Sequence, residues 1–254
     1  MRNSAFIMGM PVTVIVAENQ VSSADIEAVF DYFRQIDTIF SPFKAQSELE
    51  RFNRGQIKQA NLSSEMKEIL KLAEQTKIET NGYFDIRTSR GQLDPSGLVK
   101  GWAIGHGTQL LQQKGYRNIY VEIAGDIQLC GRNERGELWR IGIRNPFKTS
   151  EIIQTINLTG QGIATSGSYL QGEHIYNPFG GQKPDGVVSL TVIGPNVYEA
   201  DRFATAAFAM GIKGLELIES LPGFEGYMIT DKAQAMPTSG FQRYVRPSRS
   251  LQHQ

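Results

Sequence analysis

Between Asn118 and Arg144 apolar side chains recur at every second position, in Ile119-Tyr-Val-Glu-Ile and in Leu138-Trp-Arg-Ile-Gly-Ile. This is the period of half-buried strands, and the turn-forming run Asn133-Glu-Arg-Gly136 between them predicts an antiparallel hairpin. The surrounding chain reads differently. Ser22 or Ser23 caps a helix of about four turns whose apolar face is Ile26, Val29, Phe30, Phe33, Ile36 and Phe40, and Pro42 ends it. Further helices are predicted from Ser64 to Thr80, Leu98 to Lys114, Tyr198 to Met210 and Leu215 to Leu221. Strands are predicted at Pro11 to Ala17, Ile152 to Leu158, Val187 to Ile193 and Gly226 to Thr230. Antiparallel pairs interspersed with helices give an α+β fold rather than a doubly wound parallel sheet.

The 254 residues are expected to form one domain over residues 1–240, with a loose polar tail over 241–254. Lys and Arg together number 26, as do Asp and Glu, so no net field selects nucleic acid or a membrane surface, and an anion site must be built locally. Arg2 and the apolar run after Ala5 superficially resemble a leader peptide. Gly9, Pro11, Thr13 and a β-branched second half favour a strand, and the run is too short to span a bilayer. A chain starting near Met1 in the cytoplasm is the expectation. The single cysteine, Cys130, excludes an internal disulfide.

Four clusters carry chemistry. In Ala200-Asp201-Arg-Phe-Ala-Thr205 the four-residue separation puts a carboxylate and a hydroxyl on one helical face, an oxygen pair suited to Mg²⁺ or to an ordinary capped first turn. In Ala164-Thr-Ser-Gly-Ser-Tyr169, Thr165, Ser166 and the Gly167 backbone can donate to phosphate, or form a simple turn. His174 downstream is the candidate base, or a loop histidine bonded to backbone. In Leu93-Asp94-Pro-Ser-Gly97-Leu-Val-Lys100-Gly101 an acidic loop enters a helix with a lysine in its first turn, a phosphate cradle or a solvated lysine. In Ile123-Ala-Gly125-Asp126 small residues interrupt a strand, marking a ligand approach or a bulge. Neither a phosphate loop nor a dinucleotide fingerprint is present.

Taken in order, these clusters resemble the ApbE flavin transferase family from Met8 to about Gly211. The series is Met8-Gly9-Met10, Ser41-Pro-Phe43 with Ser47-Glu-Leu and Asn53, Gly82-Tyr-Phe-Asp85, Asp94 with Gly97-Leu-Val-Lys100-Gly101, Ala124-Gly125-Asp126, Thr165-Ser-Gly167 with Tyr169, His174 to Pro178, and Ala200 to Thr205. The resemblance implies an α+β fold of duplicated T-fold-like halves with FAD in a cleft between them. It implies Mg²⁺ held by Asp201, Thr205 and the backbone carbonyl of Val99. It implies FAD contacts from Met8, Gly9, Met10, Phe43, Asp94, Lys100, Asp126, Thr165, Ser166, Gly167 and Tyr169, with His174 as base. The implied reaction moves FMN from FAD onto a threonine of an acceptor protein and releases AMP. Hydrolysis of FAD to FMN and AMP, and a non-catalytic flavin carrier, are the alternatives. The chain departs from the family pattern at Phe43 (usually Tyr), Ala124 (Gly), Asn177 (Asp), Gly180 (Thr) and Val99 (Ala).

Overall fold

A computed structural model describes residues 1–167, 177–180 and 184–245. Two strands, β1 (Arg2–Ile7) and β2 (Met10–Val16), open the chain, followed by α1 (Ser23–Phe40), α2 (Glu48–Asn53), α3 (Ser64–Glu79) and α4 (Ser96–Gln113). Then come β3 (Ile119–Ile123), β4 (Asp126–Cys130), β5 (Trp139–Arg144), β6 (Ile152–Leu158), β7 (Gly162–Gly167) and β8 (Val187–Gly194). The chain closes with α5 (Val197–Ala209), α6 (Gly214–Ser220), β9 (Glu225–Thr230) and β10 (Ala235–Pro237).

Eight strands form one antiparallel sheet in the order β1-β2-β3-β4-β7-β8-β9-β10. Its two halves repeat one plan: two strands, helices, two strands, laid side by side in chain order. This is the expected duplication. The helices cover one face, because Val12, Val14, Val121 and Ile123 pack with α1 and α4, while Ala164, Leu190, Val192 and Met228 pack with α5 and α6. The β5–β6 hairpin covers the other face, where Trp139, Ile141 and Ile156 meet Ile127, Leu129, Ile163 and Ile193. Strand alternation therefore sends Ile127 and Leu129 to the hairpin, and Asp126 and Gln128 to the helix side. Among the described residues no helix is long and apolar enough to cross a membrane.

The structure corrects the strand pairing expected between Asn118 and Arg144. Asn133–Gly136 is a turn, yet it joins strands of different sheets; β3 pairs with β4, and β5 pairs with β6. What reads as an interrupted strand at Ala124-Gly125 is a two-residue turn with φ of 49° and 97°, the hairpin geometry that wants left-handed residues. Thr165-Ser-Gly167, read as phosphate donors or a simple turn, ends the buried strand β7. At the C-terminus, Phe241 is buried and Val245 bridges to Ile156, so packed chain continues beyond residue 240.

Helices α4 and α5 join the two halves by direct backbone approach. A Cβ on Gly101 would stand 2.7 Å from the Val197 carbonyl and 2.7 Å from the Asp201 Cβ, and one on Gly97 would stand 2.8 Å from the Thr205 methyl. Gly105, one turn further on, faces open space. Gly101→Ala is therefore expected to lower stability by roughly 1–3 kcal/mol and the melting temperature by several degrees. Gly105→Ala is expected to be neutral or to stabilise by up to about 1 kcal/mol through helix propensity. Thermal melts of both variants check the pair; equal losses would contradict the close crossing.

Candidate active site

The α4–α5 crossing gathers the polar residues. On α4, the Gly97 carbonyl and the Gly101 N–H lie one α-helical turn apart. The Thr205 hydroxyl donates to the first at 3.3 Å, and the Asp201 carboxylate accepts from the second at 2.8 Å. Both acceptor and donor on α5 come from the same face, as their four-residue spacing requires. From the sheet, Asp126 reaches the same place at the start of β4. Its Oδ1 accepts the Thr165 N–H at 3.0 Å, and its Oδ2 lies 2.8 Å from the Lys100 Nζ. That ion pair is misaligned as a hydrogen bond, so Oδ2 is a buried acceptor without a hydrogen-bond partner among the described residues.

Charge is unbalanced here. Asp126 and Asp201 are 1% and 4% exposed, and Lys100 is the cation that faces both. Burial, with the repulsion of Asp126, pushes the Asp201 carboxyl up to about 8, only partly offset by Lys100 and the Gly101 N–H. Burial works against the Lys100 ammonium, but Asp126 and then Asp201 outweigh it and hold its pKa above the ordinary lysine value. With both carboxyls ionised the cluster would be one positive charge short, and the raised Asp201 carboxyl keeps a proton instead.

A cleft adjoins it, lined by Asp94, Ser96, Gly97 and Thr205 on one side and by Tyr83, Ile86 and Thr88 on another. The Asp94 carboxylate accepts both the N–H and the hydroxyl of Ser96, fixing the turn into α4. The Thr88 hydroxyl is buried without a hydrogen-bond partner among the described residues. Pro178 lines the cleft and Phe179 stacks edge-on against Tyr83 at 4.9 Å, so Asn177–Gly180 is anchored at its mouth. Asn177 holds that segment, accepting the Phe179 N–H at 2.9 Å.

Of the predicted site residues, Lys100, Asp126, Asp201 and Thr205 converge, Thr165 joins them through its backbone N–H while its hydroxyl pairs with that of Thr191 at 2.9 Å, Asp94 borders the adjoining cleft, and Val99 is buried in the first turn of α4. Ser166 and Gly167 end β7 beside them. Met8 and Gly9 form the β1–β2 turn, with φ of 58° and 71°, and Met10 begins β2. That turn and Ala124-Gly125 share one end of the sheet, since the Ala124 N–H donates to the Pro11 carbonyl. Phe43 is 93% exposed. Tyr169 and His174 lie outside the described residues.

Sequence reasoning missed Arg202. Buried between α5 and α3, its guanidinium bonds Glu199 at 2.6 Å, Glu79 and Thr76, and lies 4.2 Å over the Phe203 ring. It fixes the rotation of α5, and so the direction of Asp201. Glu199 is a local i,i+3 partner, but Glu79 and Thr76 come from a distant helix, so no local motif reveals the buried network.

The residues fit a hard divalent cation: one carboxylate, one hydroxyl and a first-turn carbonyl supply oxygens, and the cation would cancel the surplus negative charge. Among the described residues no three His, Cys, Asp or Glu gather into a complete protein cage, and Mg²⁺ does not need one when substrate phosphates complete its shell. The raised Asp201 carboxyl carries a pH signature. The folded protein holds a proton that the unfolded chain releases between pH 3.8 and about 8, so metal-free stability falls as pH rises through that window. Asp201→Asn is expected to flatten the slope by about 1 kcal/mol per pH unit, measured by denaturant melts in chelator from pH 5 to 8. Identical slopes would contradict the assignment.

Comparison with known proteins identifies the family. The sequence model described as the ApbE family matches residues 8–90 and 87–228. The chain is 30% identical over 165 residues to the FAD:protein FMN transferase of Salmonella typhimurium, covering 61% of this chain and 46% of that protein. It is 31% identical over 156 residues to the FAD:protein FMN transferase of Escherichia coli K12, covering 58% and 44%. The chain thus spans about half the length of the curated relatives it matches. Among solved structures, the ApbE protein of Thermotoga maritima superimposes with a TM-score of 0.86 at 21% identity, over 97% of this chain and 99% of that one. The flavin transferase ApbE of Vibrio cholerae does so with a TM-score of 0.83 at 23% identity, over 96% and 99%. Matched across most of its length, this chain belongs to the ApbE family.

Proposed function

We propose that this chain is a Mg²⁺-dependent FAD:protein FMN transferase that attaches FMN through a phosphoester to a threonine hydroxyl and releases AMP. The observation that carries the reading is the pair of buried carboxyls, Asp126 and Asp201, that share one lysine at the α4–α5 crossing, beside a cleft lined by the Thr88 hydroxyl, unpartnered among the described residues. The names of the transferase relatives support it.

In this reading Asp201, Thr205 and the Val99 carbonyl hold Mg²⁺, which when bound would stabilise negative charge on the pyrophosphate oxygens. Lys100, paired with Asp126, sits beside the cation site as a fixed positive charge for the same oxygens. Asp126 fixes that lysine and, through its other oxygen, the Thr165 N–H at the start of the Thr165–Tyr169 run that receives phosphate. Asp94 orders the entry to α4, and the Met8–Met10 turn and Phe43 bound the flavin side. His174 takes the proton of the incoming threonine, whose oxygen attacks the phosphorus on the FMN side. The bond from that phosphorus to the bridging oxygen breaks, and AMP leaves with the bridging oxygen. The Asn177–Gly180 segment, which follows His174 closely in sequence, is anchored at the cleft, and this supports the assignment of the base. A cytoplasmic setting belongs to the same proposal and rests on the apolar N-terminal run forming β1 and β2 of the central sheet.

The enzyme mixed with FAD, Mg²⁺ and a candidate acceptor protein is expected to give flavin fluorescence that migrates with the acceptor in a denaturing gel. Asp201→Ala is expected to reduce the rate at least 100-fold, and His174→Ala comparably. Free FMN and AMP without labelled protein would identify a hydrolase, and bound FAD without either product a carrier.

A further inference from the structure

We propose that the free edge of β1 is the docking strand for an extended segment of the acceptor protein, which adds antiparallel to the sheet. This inference rests on the transferase reading above and names how its macromolecular substrate is held.

The register identifies the free groups. Met1 and Val16 exchange both of their backbone hydrogen bonds, so the alternation of an antiparallel ladder makes Asn3–Val14, Ala5–Val12 and Ile7–Met10 the bonded pairs. The N–H and C=O of Arg2, Ser4 and Phe6 therefore point away from β2. Among the described residues none bonds to them.

Sheet edges are normally blunted by charge, proline, bulges or brevity. The opposite edge obeys this: β10 has three residues and ends at Pro237. The β1 edge does not. It is six residues long, pairs with β2 without a register shift, and has one charge, at Arg2. Phe6 is 75% exposed beside Pro11, an aromatic surface facing no partner among the described residues.

Two considerations select the occupant. A six-residue ladder offers a strip about 20 Å long and about 10 Å deep. That is ~400 Å² over both partners, well below the ~1,000 Å² of a standing dimer, yet suited to a substrate that must leave after one turnover. The edge also ends at the Met8-Gly9 turn, at the same end of the sheet as Ala124-Gly125 and Asp126. A strand added beyond β1 lies four strand spacings from β4, about 19 Å, which about six extended residues span. The antiparallel arrangement thus puts the reactive threonine about six residues before the docked segment. Opposite Phe6, Ser4 and Arg2 that segment would carry an apolar, a small polar and an acidic residue.

The probe is a synthetic peptide with a threonine, a six-residue Gly/Ser spacer and Leu-Thr-Ser-Thr-Asp, added to the full chain with FAD and Mg²⁺. Amide exchange is expected to slow at Ser4 and Phe6 and to stay unchanged at Asn3 and Ala5. Ser4→Pro removes an outward N–H that the β1–β2 ladder does not use, and Phe6→Glu removes the apolar contact. Each is expected to raise the peptide KM at least tenfold, with kcat and FAD affinity unchanged. Slowed exchange without labelling would keep the docking strand while the transfer reading fails. Labelling without slowed exchange, an unchanged KM in both variants, or neither effect would overturn the docking strand. Protection that grows with protein concentration alone would assign the edge to a second copy and overturn it as well.

Discussion

The site depends on how closely α4 and α5 cross. Without side chains at Gly97 and Gly101, the backbone of α4 comes within reach of Thr205 and Asp201 on α5. The same contact joins the two halves of the sheet, since α4 belongs to the first and α5 to the second. Fold stability and site geometry therefore share one constraint. A similar approach occurs at Gly162, where a Cβ would collide with the backbone at Asn196 and Val197, seating the start of α5 on β7.

Electrostatics then follows from placement. Strand alternation turns Asp126 toward the helices, and the helical spacing of the Ala200–Thr205 motif turns Asp201 toward the sheet, so two buried carboxylates meet a single lysine. A chain of zero formal charge thus buries two carboxyl groups beside one lysine, and a proton held on Asp201 near neutral pH offsets the second. A divalent cation entering with a pyrophosphate would take the place of that proton and draw oxygens from both the carboxylate and the phosphates. The raised Asp201 carboxyl expresses that crowding.

Much of this was legible in the sequence. The apolar faces of α1 and α3 show clear helical spacing, and the Asp201–Thr205 pair shows its common face directly. Less legible were features that depend on partners far along the chain. Ala124 adopts a left-handed conformation that alanine does not advertise, so the β3–β4 turn reads as a break in one strand. β7 is rich in Gly, Ser and Thr, a loop composition, yet it pairs with both β4 and β8 where small residues let α5 approach. The outward side of β1 is Arg2, Ser4 and Phe6, which hides its alternation. Arg202 has no signal of its own because Glu79 and Thr76 reach it only through the fold.

The central claim is that the α4–α5 crossing is a metal site. A crystal grown with FAD and Mn²⁺ as a stand-in for Mg²⁺, measured at the manganese absorption edge, tests it most directly. The account predicts an anomalous peak about 2.2 Å from an Asp201 carboxylate oxygen and from the Thr205 hydroxyl, with a first-turn carbonyl of α4 and the pyrophosphate completing the shell. A peak elsewhere in the cleft, or FAD bound with no ion at Asp201, would contradict it.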